Sequence, residues 1–254
     1  IEPQLRKLKL EYGRFTEIDY RMGGLLPDWS YNSGGISKPS DVAHHWDEVS
    51  VYYDMPIDGD VWLEDPLHSS YPPSIAFKAA QMQDKDKAIS FLREMREMLF
   101  LQKKNLAKWE YMAIAASTVG LDTTQLKTDF EGTAKELFEE DLKLAKESGV
   151  RGFPTMFFLN DAGTKEIVYG SKAYPFYETA LLKLHPQAIK AEYAKTPEFL
   201  FTKYPSLTAK EFAELSAIPR SESKKTLDAL VSEGRLEKII TKNGAMWKVQ
   251  SAIS

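Results

Sequence analysis

The stretch Gly149-Val150-Arg151-Gly152-Phe153-Pro154-Thr155-Met156-Phe157-Phe158-Leu159-Asn160 decides how the rest of the chain is read. Its residues 155–159 form a short apolar run bounded by Gly, Pro and Asn, which predicts a buried strand. Asp161-Ala162-Gly163 is a turn signal and Glu166-Ile167-Val168-Tyr169 a second strand, so 155–169 reads as a hairpin. A helix over about 173–184 follows Gly170. Upstream, Ile1, Leu5, Leu8 and Tyr12 recur at helical spacing until Gly13, with Pro3 in the first turn, where its missing N–H forfeits no hydrogen bond. Phe15 to Met22 then alternates apolar and polar residues and predicts a strand ending at Gly23-Gly24. Helices over a small mixed sheet, an α/β (α+β) arrangement, follow from this order.

Between the two halves lies a long insertion. Residues 27–40, with Pro27, Asn32, Ser33, Gly34, Gly35 and Pro39, read as loop, and helices are expected at about 40–54, 73–83, 86–104, 107–119, 123–130 and 132–148. In 86–104, Ile89, Leu92, Met95 and Leu99 make one stripe, and Met95 and Met98 read as core filling. From about 190 onward a small separate part is expected. Thr208 caps a helix through Leu215 with Glu211 completing a capping box, and a second helix runs from about Ser221 or Ser223 to Gly234. Strands at 236–240 and 246–249 across Asn243-Gly244 complete a helix-turn-helix with a hairpin wing.

The chain has 254 residues, 43% hydrophobic and 28% charged, enough for one large domain or a mid-sized one plus a small one, and inconsistent with a disordered chain. A net charge of -4 makes nucleic acid an unexpected partner, and no apolar run approaches the roughly 18 residues of a membrane span. There is no cysteine, so no disulfide, thiolate metal site or cysteine nucleophile can be built from residues 1–254. Because Ile1 falls within a helix rather than at a Met start, the natural chain is expected to begin upstream.

Glu2-Pro3-Gln4-Leu5-Arg6-Lys7-Leu8 ahead of Tyr12-Gly13, together with Gly152-Phe153-Pro154-Thr155, resembles the DsbA-like branch of the thioredoxin superfamily. Gly59-Asp60-Val61-Trp62, Ala76 to Ala80, Leu99-Phe100, Lys103 to Asn105 and Gly244 to Lys248 are similar to its cytosolic group, which includes ClpXP adaptors for the redox regulator Spx. The resemblance implies a thioredoxin-like domain (1–27 and 149–189), a helical insertion (28–148) and a winged-helix-like C-terminal domain (190–254). It implies a cytoplasmic protein with no cofactor, while the residues themselves give no expectation of a metal site or a membrane partner. It also implies a Cys-x-x-Cys pair just upstream of Ile1 at the head of the first helix, a cis Pro154, and a backbone at Gly152, Phe153 and Pro154 that pairs with an extended substrate.

Two activities follow from it. One is thiol-disulfide exchange of the dithiol-disulfide isomerase type, on a protein or small-thiol disulfide, with a thiolate favoured by the helix N-terminus. The other is a non-enzymatic adaptor that delivers a redox regulator to a ClpXP-type protease. A third reading, DNA binding through Arg220, Lys224 and Lys225, is weak because residues 207–249 hold eight basic against six acidic side chains. The remaining candidates read more simply as structure. His44-His45 lacks a spaced third ligand, and one of the two is expected to face the core. Glu139-Glu140-Asp141 reads as a solvated face beside Lys143 and Lys146. Met82, Met98 and Phe100 are compatible with an exposed face for a protein partner.

Overall fold

In the computed structural model, residues 1–30 and 36–250 are described. The predicted loop residues Asn32, Ser33, Gly34 and Gly35 lie outside that range. The chain forms two compact units, one of Ile1–Tyr20, Gly149–Ile239 and the residues from Ala245 on, the other of Arg21–Ser148 with Ile240–Gly244.

The first unit is built around helix α1, Glu2–Tyr12, which carries Pro3 in its first turn and buries Leu5, Leu8 and Tyr12. Gly13 ends it for want of space rather than for a left-handed turn. Its φ is -60°, its N–H donates to Lys9 O at 3.0 Å, and a Cβ there would lie 2.4 Å from that oxygen. Strands β1 (Thr155–Leu159) and β2 (Lys165–Tyr169) pair antiparallel, with Met156 opposite Val168 and Phe158 opposite Glu166. Alternation puts Phe158 and Val168 inward, where they join Leu8 and Tyr12 of α1 and Tyr174, Tyr177, Ala180 and Leu181 of α9 (Tyr174–Leu184) in one core.

The predicted strand over 15–22 does not form: among the described residues β1 pairs only with β2, and 15–22 joins no ladder. Alternation specifies two faces but supplies no partner, and a strand needs both.

The same unit contains the winged-helix-like part. Helix α10 (Pro197–Lys203) and strand β3 (Ser206–Thr208) precede α11 (Ala209–Ser216) and α12 (Arg220–Ser232). Strands β4 (Leu236–Thr241) and β5 (Gly244–Val249) then complete a sheet of order β3-β5-β4. The capping box at Thr208 and Glu211 is present as read from the sequence, and Leu200, Leu207, Phe212, Leu215, Leu227 and Trp247 make the core.

The second unit is helical. Helices α2 (Pro39–Tyr53), α4 (Tyr71–Gln83), α5 (Lys85–Gln102), α6 (Trp109–Thr118), α7 (Thr123–Glu131) and α8 (Ala134–Glu147) match the expected helices to within a few residues, and α3 (Val61–Glu64) is an addition. Ala76, Phe77, Ala79 and Ala80 give α4 a buried face against α5, α7 and α8. Met95 and Met98 are core, as expected. The acid run on α8 is not all solvated: Asp141 is buried, 3.0 Å from both Arg21 Nη1 and Lys78 Nζ, and accepts from Met22 N–H at 2.9 Å. It follows Ala134 and Phe138 on the buried stripe of α8, at the spacing that turns a side chain inward.

Candidate functional site

The Phe153–Pro154 peptide is cis, and the loop that carries it is tied down on both sides. Thr155 Oγ1 donates to Gly152 O at 2.8 Å, and Gly170 N–H donates to Pro154 O at 2.8 Å. A Cβ on Gly152 would sit 2.6 Å from the Tyr169 hydroxyl oxygen, so the tyrosine ring reaches across from β2 to lie against the loop backbone. Phe153 points outward and is half exposed, as are Ile167 and Tyr169. The structure therefore brings Gly152, Phe153 and Pro154 together with an aromatic neighbour, Tyr169, that sequence reasoning assigned only to a strand.

The N-terminal end of α1 shares the core under this hairpin. Ile1 and Met156 both pack against the cluster that contains Leu8 and Phe158. Ile1 is the N-cap and has no side-chain cap; its carbonyl accepts from Gln4 and Leu5 N–H, each at 3.1 Å. The side-chain oxygen of Gln4, in the first turn, is buried without a hydrogen-bond partner, a situation that costs about 1–3 kcal/mol until a donor meets it.

Polar contacts hold α1 in register on both flanks. Buried Arg6 donates to Ser206 O at 3.0 Å, lies 3.4 Å from the buried Glu211 carboxylate and 3.3 Å from Glu2, and stacks 4.5 Å over the Tyr204 ring. Lys7 pairs with Glu214 at 2.8 Å. Toward the C-terminal end, Tyr174 donates to Glu11, Tyr12 donates to Glu178 at 2.8 Å, and Lys190 lies 3.0 Å from both Glu11 and Glu178. Burial, reinforced by the Glu178 carboxylate, pushes the Tyr12 phenol up to about 12. Partial burial alone would raise Glu178, but the hydrogen bonds from Lys190 and Tyr12 hold it below the ordinary carboxylate value. A buried arginine inside a helix is a signal that Glu2 and Arg6, four apart, carried faintly; its partners 200 residues away were not readable.

The other candidates separate. His44 and His45 are both exposed, which corrects the expectation that one faces the core; Trp46 turns inward instead and stacks on Trp62 with centroids 5.6 Å apart. His44 Nε2 lies 3.1 Å from Glu48. Met98 is buried and Phe100 half-buried against Trp46, so of the proposed Met-Phe face only Met82 is exposed. Lys224 is paired with Asp228 at 3.0 Å, and that carboxylate also binds Lys238 and the Trp247 indole N–H. No helix among the described residues is long and apolar enough to cross a membrane.

Comparison with known proteins gives a consistent picture. A family model described as thioredoxin matches residues 1–179. A protein of Halalkalibacterium halodurans named ClpXP adapter protein SpxH is 35% identical over 97% of this chain and 83% of its own length. Its namesake from Bacillus subtilis is 30% identical over 100% of this chain and 85% of its own length. A crystal structure described as a candidate protein disulfide isomerase from Nitrosomonas europaea superposes with a TM-score of 0.55 at 16% identity, covering 72% of this chain and 86% of that one, a likeness of fold alone.

Proposed function

We propose that this chain, which belongs to the thioredoxin family and has the DsbA-like thioredoxin fold with a helical insertion, acts as an adaptor that delivers a redox regulator to a ClpXP-type protease. The observation that carries the reading is the extent of the likeness to the two adapter proteins, which runs through both compact units and the winged-helix-like part. In this reading the chain divides by role into the thioredoxin-like part (1–27 and 149–189), the insertion (28–148) and the C-terminal part (190–254). Gly152, Phe153 and Pro154, with Tyr169 beside them, form a docking surface for one protein partner. Half-exposed aromatic rings held on a tied-down loop suit that task, since large rigid side chains contribute binding area at little conformational cost.

Thiol-disulfide exchange is the second reading. The helix N-terminus and the proline loop above one shared core favour it. It needs a cysteine pair that residues 1–254 do not contain.

The adaptor reading is tested by mixing the chain with the regulator and the protease's unfoldase and measuring the assemblies by native mass spectrometry. A species containing all three is expected, together with an approximately tenfold weaker regulator complex for Phe153→Ala. Mutually exclusive binary complexes, or a Phe153→Ala chain that binds like the parent, would overturn it.

A further inference from the structure

The cis-proline loop and the start of α9 are held beside each other. Gly170 N–H donates to Pro154 O at 2.8 Å. The hydroxyl of buried Tyr177, on α9, accepts from Lys172 N–H at 3.0 Å and donates to Gly170 O at 3.4 Å. The crossover 170–173 therefore has a fixed course, and the register that sets Thr155 opposite Tyr169 carries on toward residues 152 and 172. Because Gly170 bonds back to Pro154, the alternation of an antiparallel ladder turns the Tyr169 N–H and C=O away from β1. No strand among the described residues pairs with that edge.

Three aromatic rings stand open at this end of the hairpin: Phe153 at 51% exposure, Tyr169 at 55% and Phe176, in the first turn of α9, at 59%. Two cations flank them. Arg151 and Lys172 are exposed, and neither side chain has an ion pair or a hydrogen bond among the described residues. No side chain caps α9 and its first turn holds no acid, so the helix dipole adds to the same positive field. The acids on the elements around the loop do not cancel it. Glu2, at the head of α1, is mostly buried and lies 3.3 Å from Arg6, Glu166 is paired with Lys183 at 3.1 Å, and Glu178 with Lys190 at 3.0 Å. Asp161 sits in the turn at the far end of the hairpin, about 20 Å along the strand from Pro154 and so roughly two screening lengths away at physiological salt.

We infer that the end of the hairpin that carries Arg151, Phe153, Tyr169 and Lys172 docks an extended, acidic segment of a partner protein. Its apolar or aromatic anchors sit on Phe153, Tyr169 and Phe176, and its Asp or Glu side chains lie toward Arg151 and Lys172. The unpaired edge of β2 selects an extended backbone, and the unopposed cations select its charge. A second copy pairing through the same edge does not fit, because it would bring two more unpaired cations to it. The inference rests on the docking surface of the adaptor reading and names the chemistry of the partner which that surface takes.

The test uses the full chain, labelled for NMR, and two short synthetic peptides with the same Phe and Val anchors, one flanked by Asp and Glu and the other by Lys and Arg. The acidic peptide is expected to shift the backbone resonances of residues 151–176. Its affinity should fall roughly tenfold for Phe153→Ala, roughly fivefold for Arg151→Glu or Lys172→Glu, and steeply with added salt. The chain with both cations reversed is expected to take the basic peptide instead. Both cations are exposed and unpaired, so their variants should keep the parent's circular dichroism and melting temperature, which separates lost docking from lost folding. Equal binding of the two peptides at these residues would overturn the acidic assignment and leave the adaptor reading standing; that reading falls instead if the parent chain gives no three-component assembly with the regulator and the unfoldase. Shifts centred elsewhere, no binding at millimolar acidic peptide, tighter binding of a short poly-thymidine strand at the same residues, or dimerisation of the chain that Phe153→Ala abolishes would each overturn the inference as well.

Discussion

At the scale of single residues, Gly152 has a hydrogen where any other residue would place a carbon 2.6 Å from the Tyr169 hydroxyl oxygen. Gly152→Ala must therefore displace the hydroxyl end of the tyrosine, and because that side chain is half exposed the expected loss in urea unfolding is small, at most about 1 kcal/mol. The same change in a Tyr169→Phe background should be close to neutral, because the clashing oxygen is gone. Asp141 makes a larger claim. Its buried carboxylate holds Arg21, Lys78 and the Met22 N–H, and Asp141→Ala would leave the Lys78 ammonium buried without its counter-ion. The expected loss in urea unfolding is about 3–5 kcal/mol, against about 1 kcal/mol or less for Arg21→Ala, whose side chain is half exposed. Neither contact was legible in the sequence. The loop triplet was, because a Gly-Phe-Pro ahead of an apolar run is local. The Tyr169 ring and the partners of Asp141 belong to pairs separated along the chain, and only the place of Asp141 on the Phe138 stripe hinted at its inward turn.

At the scale of elements, Asp228 joins three of them, accepting on α12 from Lys224 of its own helix, Lys238 of β4 and the Trp247 indole of β5. Partial burial would push this carboxyl up, but the two ammonium groups and the indole N–H hold it below its ordinary value of 3.8. Because the charged form is favoured by folding, the stability it contributes is whole above that ordinary value and is lost as pH falls through the lowered one. Asp228→Asn should accordingly lower the urea midpoint at pH 7 and converge with the parent at the acid end of a pH series; a constant difference across the series would contradict this. Elements with strong periodicity were legible, among them the insertion helices, the 155–169 hairpin and the Thr208 cap. Helix α10 and strand β3, at seven and three residues, are too short for a period to show, although Thr196-Pro197 is a helix-start signal that could have found the former. The strand at 15–22 failed for the opposite reason, a clear pattern that meets no ladder.

For the whole molecule, the likeness that runs through both compact units is to proteins named as adapters, and the proposed binding role rests on it. The chain presents the half-exposed Phe153 ring on the proline loop, with half-exposed Tyr169 of β2 beside it. Composition alone excluded disorder and argued against a nucleic-acid partner, but it could not choose between an enzyme and an adaptor. That choice rests on partners, which a sequence records only through its relatives. The decisive measurement is the initial rate at which purified ClpXP degrades the regulator, with and without this chain at equal concentrations. The adaptor account predicts a rate increase that saturates with added chain and falls severalfold for Phe153→Ala, whereas a rate unchanged by the chain at any concentration would contradict it.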